Sequence, residues 1–202
     1  VADMERAWAA GKTAAFLSVE NGSAFAGDLS RIGELKRQAV CAVTLTWNGE
    51  NELGSGNVTD RGLTDFGRAA VREMERCGIF IDVSHLNDAG LADVFETAER
   101  PFLATHSNAR AICAHKRNLT DVQIKEMVRR GCLIGLNYYG PFLRDGGAVR
   151  SLDDVYRHVA HFFDLGARRN LALGSDFDGA ALPPCLDSAE KTADFYEYLL
   201  SR

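Results

Sequence analysis

Short apolar runs alternate with amphipathic stretches along the whole chain. The strand-like runs are 14–20 (AAFLSVE), 40–46 (VCAVTLT), 79–85 (IFIDVSH), 101–106 (PFLATH), 132–138 (CLIGLNY) and 171–176 (LALGSD). They are rich in Val, Ile, Leu and Phe and apolar at consecutive positions, the pattern of strands covered on both faces of a parallel sheet. Between them apolar residues recur every three or four positions, as in Leu152, Val155, Val159, Phe162 and Phe163, which predicts helices with one buried face. Thr120-x-x-Gln123 and Ser151-x-x-Asp154 have the spacing of capping boxes. Gly78, Gly131 and Gly166 follow helical runs, where a left-handed cap favours glycine. Six β-α units in series predict an all-parallel α/β fold.

Such a fold is either an open doubly wound sheet or a barrel. The glycine-rich phosphate loops of nucleotide-binding open sheets, G-x-G-x-x-G and G-x-x-x-x-G-K, do not occur. Polar residues close many of the strand runs instead, which favours a (β/α)8 TIM barrel, whose ligands and catalytic groups sit at the C-terminal strand ends. A complete barrel has eight strands over about 250 residues. Residues 1–202 are therefore expected to form one partial barrel domain of about six β/α units, two short of the full set. The chain opens and closes in helix-like sequence, so native sequence is expected beyond both ends.

Composition narrows the function. With 46% hydrophobic and 25% charged residues the chain reads as an ordinary globular domain. A net charge of −5 with no basic stripe argues against nucleic acid as a partner. No apolar run approaches the roughly 20 residues of a membrane span. The five cysteines are an odd number, and the closest pair, Cys113 and Cys132, lies 19 residues apart. That spacing excludes a Cys-x-x-Cys motif and argues against a complete disulfide framework. Buried free thiols in a reducing compartment are expected, and with no signal peptide visible at Val1 the expected location is cytoplasmic.

The candidate chemistry collects at the ends of the apolar runs. His85 and His106 close two successive strand runs, where two neutral imidazoles can converge on one metal ion. Glu20 ends the first run, suited either to bridging two cations or to capping the next turn. Asp176, in Gly174-Ser175-Asp176-Phe177-Asp178-Gly179, is placed to shuttle protons beside a metal-activated water, or else to form an aspartate turn before glycine. Arg117 follows the His106 run and could clamp a substrate carboxylate through two parallel hydrogen bonds. His115 reads as a solvated loop histidine, and His158 and His161 as helix-surface residues. Pattern alone reaches a metal-dependent hydrolase with Glu, His, His and Asp at a barrel mouth, and leaves the substrate open.

Four segments together resemble the membrane (renal-type) dipeptidase family, peptidase family M19. They are Ser18-Val19-Glu20-Asn21-Gly22, Ile81-Asp82-Val83-Ser84-His85, Ala104 to Arg110 with His115-Lys116-Arg117-Asn118, and Gly174 to Gly179. The resemblance runs across essentially all 202 residues. It implies a (β/α)8-barrel zinc enzyme that hydrolyses dipeptides. By motif, Glu20 would bridge two zinc ions and His85 and His106 would ligate the second. Arg117 would bind the dipeptide's C-terminal carboxylate, and Asp176 would be the acid/base. Tyr139, in Asn137-Tyr138-Tyr139, lines up with a substrate-pocket tyrosine. Family members often form dimers, so a homodimer is an expectation of the same kind.

The chain departs from the family pattern twice. The family's opening strand carries a His-x-Asp pair for the first zinc, and no His-x-Asp occurs here. By the resemblance the six strands are the third to the eighth. Trp47 stands where the renal enzyme has a histidine that polarises the scissile carbonyl, which leaves Asn48, a metal ion or no group as the oxyanion donor and could alter substrate range. Two other readings remain at this stage: a catalytically incomplete barrel remnant acting as a binding or structural module, and another amidohydrolase acting on cyclic amides or lactones.

Overall fold

A computed structural model describes residues 2–202. Six strands, β1 (Leu17–Glu20), β2 (Val40–Thr44), β3 (Phe80–Asp82), β4 (Leu103–Ala104), β5 (Leu133–Leu136) and β6 (Leu171–Leu173), form one sheet in the order β1-β2-β3-β4-β5-β6. Every neighbouring pair is parallel. A doubly wound sheet reverses its strand order at a switch point. No reversal occurs here, so the order is that of successive barrel strands.

Helices α1 (Ala2–Ala9), α2 (Ser30–Arg37), α3 (Asp65–Cys77), α4 (Asp88–Thr97), α5 (Asp121–Arg129), α6 (Gly140–Leu143), α7 (Leu152–Asp164) and α8 (Ala189–Leu200) precede, connect and follow the strands. Their starts are set by local chemistry. The Thr64 hydroxyl accepts from the Gly67 N–H at α3, and the Asn87 side-chain oxygen accepts from the Gly90 N–H at α4. At α5 the capping box is complete between Thr120 and Gln123. At α7 Ser151 accepts from the Asp153 N–H instead, while Asp154 takes the Arg150 N–H and the Arg144 guanidinium, both at 2.8 Å. Gly78 ends α3 at φ 69°, in the left-handed region that costs glycine little.

The core lies between the strands and the helices packed on them. Val43, Ile81, Ala104, Ile134 and Leu136 from the sheet meet Val71, Met74, Val94, Ile124, Met127 and Phe162 from α3, α4, α5 and α7, all essentially without solvent contact. Phe80, Leu133 and Leu173, early or late in their strands, remain 53%, 43% and 40% exposed, so the sheet is not covered at every position. Among the described residues no helix is long and apolar enough to cross a membrane.

Two readings of the sequence need correcting. His158 is not on the helix surface. It is fully buried, with Nε2 2.9 Å from the Leu143 carbonyl and Nδ1 accepting from the Ala109 N–H at 3.1 Å. The stripe of α7 is wider than its apolar residues alone suggest, because two backbone partners make a polar ring acceptable inside. All five thiols are free, but only Cys113 and Cys132 are buried; Cys41, Cys77 and Cys185 are partly exposed.

Candidate metal centre

The site is built from the loops that leave the strand ends. β3 stops at Asp82, three residues short of the end of its apolar run. Its carboxylate explains why. Asp82 Oδ1 accepts from the backbone N–H of Ser84 at 3.0 Å and of Thr105 at 2.9 Å, so a side chain takes donors that a longer ladder would use. His85 follows at φ 74°, and Asp176, beyond β6, lies at φ 70°. Left-handed backbone at non-glycine residues is held only where surroundings over-determine it, and it gathers at functional sites.

Glu20, His85 and His106 converge. One ligating atom from each lies within 4.8 Å of the other two. Glu20 Oε1 is 3.0 Å from His85 Nε2 and 4.0 Å from His106 Nε2. The imidazoles are edge to face, 4.9 Å between centroids, and both are buried, whereas the Glu20 side chain is half exposed. Burial lowers both histidine pKa values, His85 to about 2, with the Arg117 charge acting in the same direction. Neutral imidazole is the ligating form.

Arg117 is 5% exposed, and its Nε and Nη2 have no hydrogen-bond partner. Burial pulls its pKa down to about 10, against the attraction of Asp82, Asp176 and Glu20. Its guanidinium lies over the Phe142 ring at 5.5 Å, and Tyr139 packs edge-on to that ring. Tyr139 thus stands on the Arg117 side of the site, with Phe142 between them. Asp176 Oδ2 accepts from Asn137 Nδ2 at 3.0 Å. Asn137 is held in turn by Asn108, which bonds both its N–H and its carbonyl at 3.0 Å. These three residues tie the loops after β4, β5 and β6 together. His115 is partly buried and accepts the Arg117 N–H. Trp47 is 52% exposed, its ring 6.3 Å from that of His85.

Pattern reasoning missed Asp82 and Thr105. The visible signal was one acid inside the apolar run Ile-Phe-Ile-Asp-Val. Its function in the packing depends on register: Thr44 is paired with Asp82 across β2 and β3, and the Thr44 hydroxyl donates to Asp82 Oδ2 at 2.7 Å.

The cluster fits a divalent cation. His106 Nε2 is buried with no hydrogen-bond partner, an arrangement that costs free energy unless something else meets that atom. Three carboxylates, Glu20, Asp82 and Asp176, surround the single Arg117 guanidinium, leaving the site short of positive charge. Two imidazole nitrogens and a carboxylate oxygen suit zinc, manganese, cobalt or iron.

A sequential parallel sheet with such a cluster at its C-terminal ends defines a barrel-type α/β protein of the metal-dependent hydrolase kind. The family model for membrane dipeptidase (peptidase family M19) matches residues 1–202, and the chain belongs to that family. An uncharacterized protein from the pqqA 5′ region of Klebsiella pneumoniae is 33% identical over 193 residues, 90% of this chain and 71% of that protein. An uncharacterized dipeptidase of Schizosaccharomyces pombe is 29% identical over 95% of this chain and 48% of its own length. The solved metallo peptidase from Rhodobacter sphaeroides, liganded with a phosphinate mimic of the dipeptide L-Ala-D-Ala, superposes with a TM-score of 0.94 at 30% identity. That match covers 99% of this chain and 60% of the Rhodobacter chain. The chain therefore spans about half to three-fifths of the yeast protein and the solved structure.

Proposed function

We propose that residues 1–202 are six of the eight units of a (β/α)8 barrel and carry the Glu/His/His part of a two-zinc site that hydrolyses the peptide bond of dipeptides. The observation that carries this reading is the convergence of Glu20, His85 and His106 beside a buried guanidinium with unused donors. Family membership supports it, as does the dipeptide mimic bound to the Rhodobacter relative.

Glu20 would bridge the two ions, and His85 and His106 would hold the second. When bound, the metal supplies an acidified water and polarises the scissile carbonyl. The chain's own residues do the rest. Arg117 offers Nε and Nη2 to a free C-terminal carboxylate, and its burial strengthens that pairing while excluding water. A clamp of that kind selects short substrates, because a longer chain has no carboxylate at that distance. Asp176, held by Asn137, accepts the water's proton and passes it to the leaving amine. Phe142 packs against Arg117, and Tyr139 packs edge-on to Phe142.

The test is turnover of free dipeptides against their C-terminal amides, by the chain alone and joined to a segment supplying a His-x-Asp pair. Hydrolysis of the free dipeptides, lost on chelation, restored by zinc and absent with the amides, is the expected result. Failure of the joined protein to cleave any free dipeptide with zinc present overturns the proposal.

A further inference from the structure

The two imidazoles of the cluster turn the same nitrogen, Nε2, toward Glu20. Whether that nitrogen carries a proton is decided at the far side of each ring, by what Nδ1 meets.

For His85 the partner is the Asn48 side chain, with Oδ1 3.0 Å from Nδ1. Asn57 Nδ2 donates to the same Oδ1 at 2.9 Å, so in this arrangement the Asn48 oxygen gathers both donors. An amide oxygen only accepts, so His85 Nδ1 carries the hydrogen. A neutral ring then has a lone pair at Nε2, and that lone pair faces Glu20 Oε1 across 3.0 Å. Two acceptors at that distance repel unless a cation stands against both.

For His106 the partner is a relay. Nδ1 lies 2.9 Å from Thr105 Oγ1, and Thr105 Oγ1 lies 2.6 Å from Asp82 Oδ2. A hydroxyl has one proton. Donated to Asp82, it leaves Thr105 to accept from His106 Nδ1–H. Asp82 is an acceptor at every contact: Thr44 Oγ1 and Thr105 Oγ1 reach Oδ2, and the N–H groups of Ser84 and Thr105 reach Oδ1. His106 Nε2 is then bare as well, and it is a buried atom without a hydrogen-bond partner.

We propose that Asn48 and the Thr105–Asp82 pair are positioning residues that set His85 and His106 as Nδ1–H tautomers, turning both bare Nε2 atoms toward one cation beside Glu20. The use of those lone pairs rests on the metal reading above; the tautomers themselves are a property of the metal-free chain. The two supports differ in strength. His85 leans on a neutral amide, His106 on a hydroxyl backed by a carboxylate. A charge-backed relay makes the ring a stronger base, so His106 is the tighter ligand and Thr105 the more consequential support.

Nitrogen NMR on the metal-free, 15N-labelled chain reads the tautomers directly, through long-range correlations of the ring protons. Both rings are expected with Nδ1 protonated and Nε2 bare; Nε2–H in either ring overturns the proposal. Thr105→Val removes the relay and leaves Asp82 its bonds from Thr44, Ser84 and the residue-105 N–H. Thr105→Ser keeps the hydroxyl. Cobalt affinity, measured by chelator competition with the d–d spectrum as a signature, should fall about 10–100-fold in Thr105→Val and recover in Thr105→Ser. Equal affinity of Thr105→Val and the wild type, or a serine variant as weak as the valine one, overturns the relay. If Asp82 and Thr105 served only to staple strand ends, melting temperature would change and the His106 tautomer would not. A wild-type chain that takes no cobalt would refute the metal reading, while the NMR result would still decide the tautomers.

Discussion

At the scale of single residues, charge and hydrogen-bond capacity set what each group can do. Among the described residues Asp176 has one neighbour holding its carboxylate, Asn137 at 3.0 Å, and no cation bonded to it. Replacing it by Asn keeps shape and the left-handed backbone while removing the carboxylate that the proposed reaction uses as proton acceptor. Asp176→Asn is therefore expected to retain metal affinity and lower kcat by about 10²–10⁴-fold; turnover near that of the wild type would remove Asp176 from proton transfer. The role proposed for Arg117 is binding instead. Arg117→Met leaves a similar apolar stem against Phe142 but no donors for a carboxylate. KM for dipeptides should rise roughly 30–100-fold with a smaller change in kcat, and steady-state kinetics with one dipeptide series separates the two effects. His85, His106, Glu20, Asp176 and Arg117 were legible in the sequence because each polar group breaks or follows an apolar run. Asp82, Thr105 and Asn48 were not assigned these supporting roles. Their roles depend on which strand lies beside which and on hydrogen bonds between residues 23 to 38 positions apart, as in Asp82–Thr105 and Thr44–Asp82, and no local pattern encodes either.

At the scale of elements, all six strands fall inside the runs that predicted them, yet each is shorter. β4 keeps only Leu103 and Ala104 of its six-residue run, because the residues beyond are bonded as loop: the Ser107 N–H goes to the Gly135 carbonyl at 2.7 Å and the His106 N–H to Ser84 Oγ at 3.0 Å. Periodicity reports burial, and these loop residues are as buried as strand residues, so the run overshoots the ladder. His158 shows the same limit on α7. Its ring joins α7 to the loop that holds His106 and Arg117, through Ala109, and to the end of α6, through Leu143. Burial, aided by Arg157 and His161 and opposed by the Leu143 bond, lowers its pKa to about 4. The unfolded chain, with an ordinary pKa near 6.5, binds this proton more readily than the folded one. His158 therefore stabilises the fold fully above about pH 6.5 and loses that contribution as pH falls toward 4, by roughly 3 kcal/mol in total. His158→Leu should cost about 2–4 kcal/mol at pH 7, since the Ala109 N–H and the Leu143 carbonyl lose their partner. It should also flatten the fall of unfolding free energy between pH 6.5 and 4 in urea titrations. An unchanged pH slope would show that another group carries the dependence.

At the scale of the whole molecule, the sequential sheet turns six strand ends to one side and thereby brings Glu20, at the end of β1, and His85 and His106, just beyond β3 and β4, within one ion's reach. That single cluster bears on how many ions the chain binds. Among the described residues it is the group of His, Cys, Asp and Glu able to hold a metal, and no His-x-Asp pair exists in the sequence to build a second centre. The 202-residue chain is thus expected to take up one equivalent of zinc or cobalt, and a second only when a His-x-Asp-bearing segment joins Glu20 as shared ligand. Because the ion binds the folded cluster and not three ligands scattered over 87 positions of unfolded chain, filling the site stabilises the fold by about 2.7 kcal/mol at a hundred times the dissociation constant. Calorimetric titration and thermal unfolding with and without chelator measure both quantities on one sample. Two equivalents in the isolated chain would mean that Asp176 or another carboxylate completes a second site unaided. Stoichiometric uptake without any rise in melting temperature would place the ion outside the folded cluster, and would refute the assignment of Glu20, His85 and His106 together.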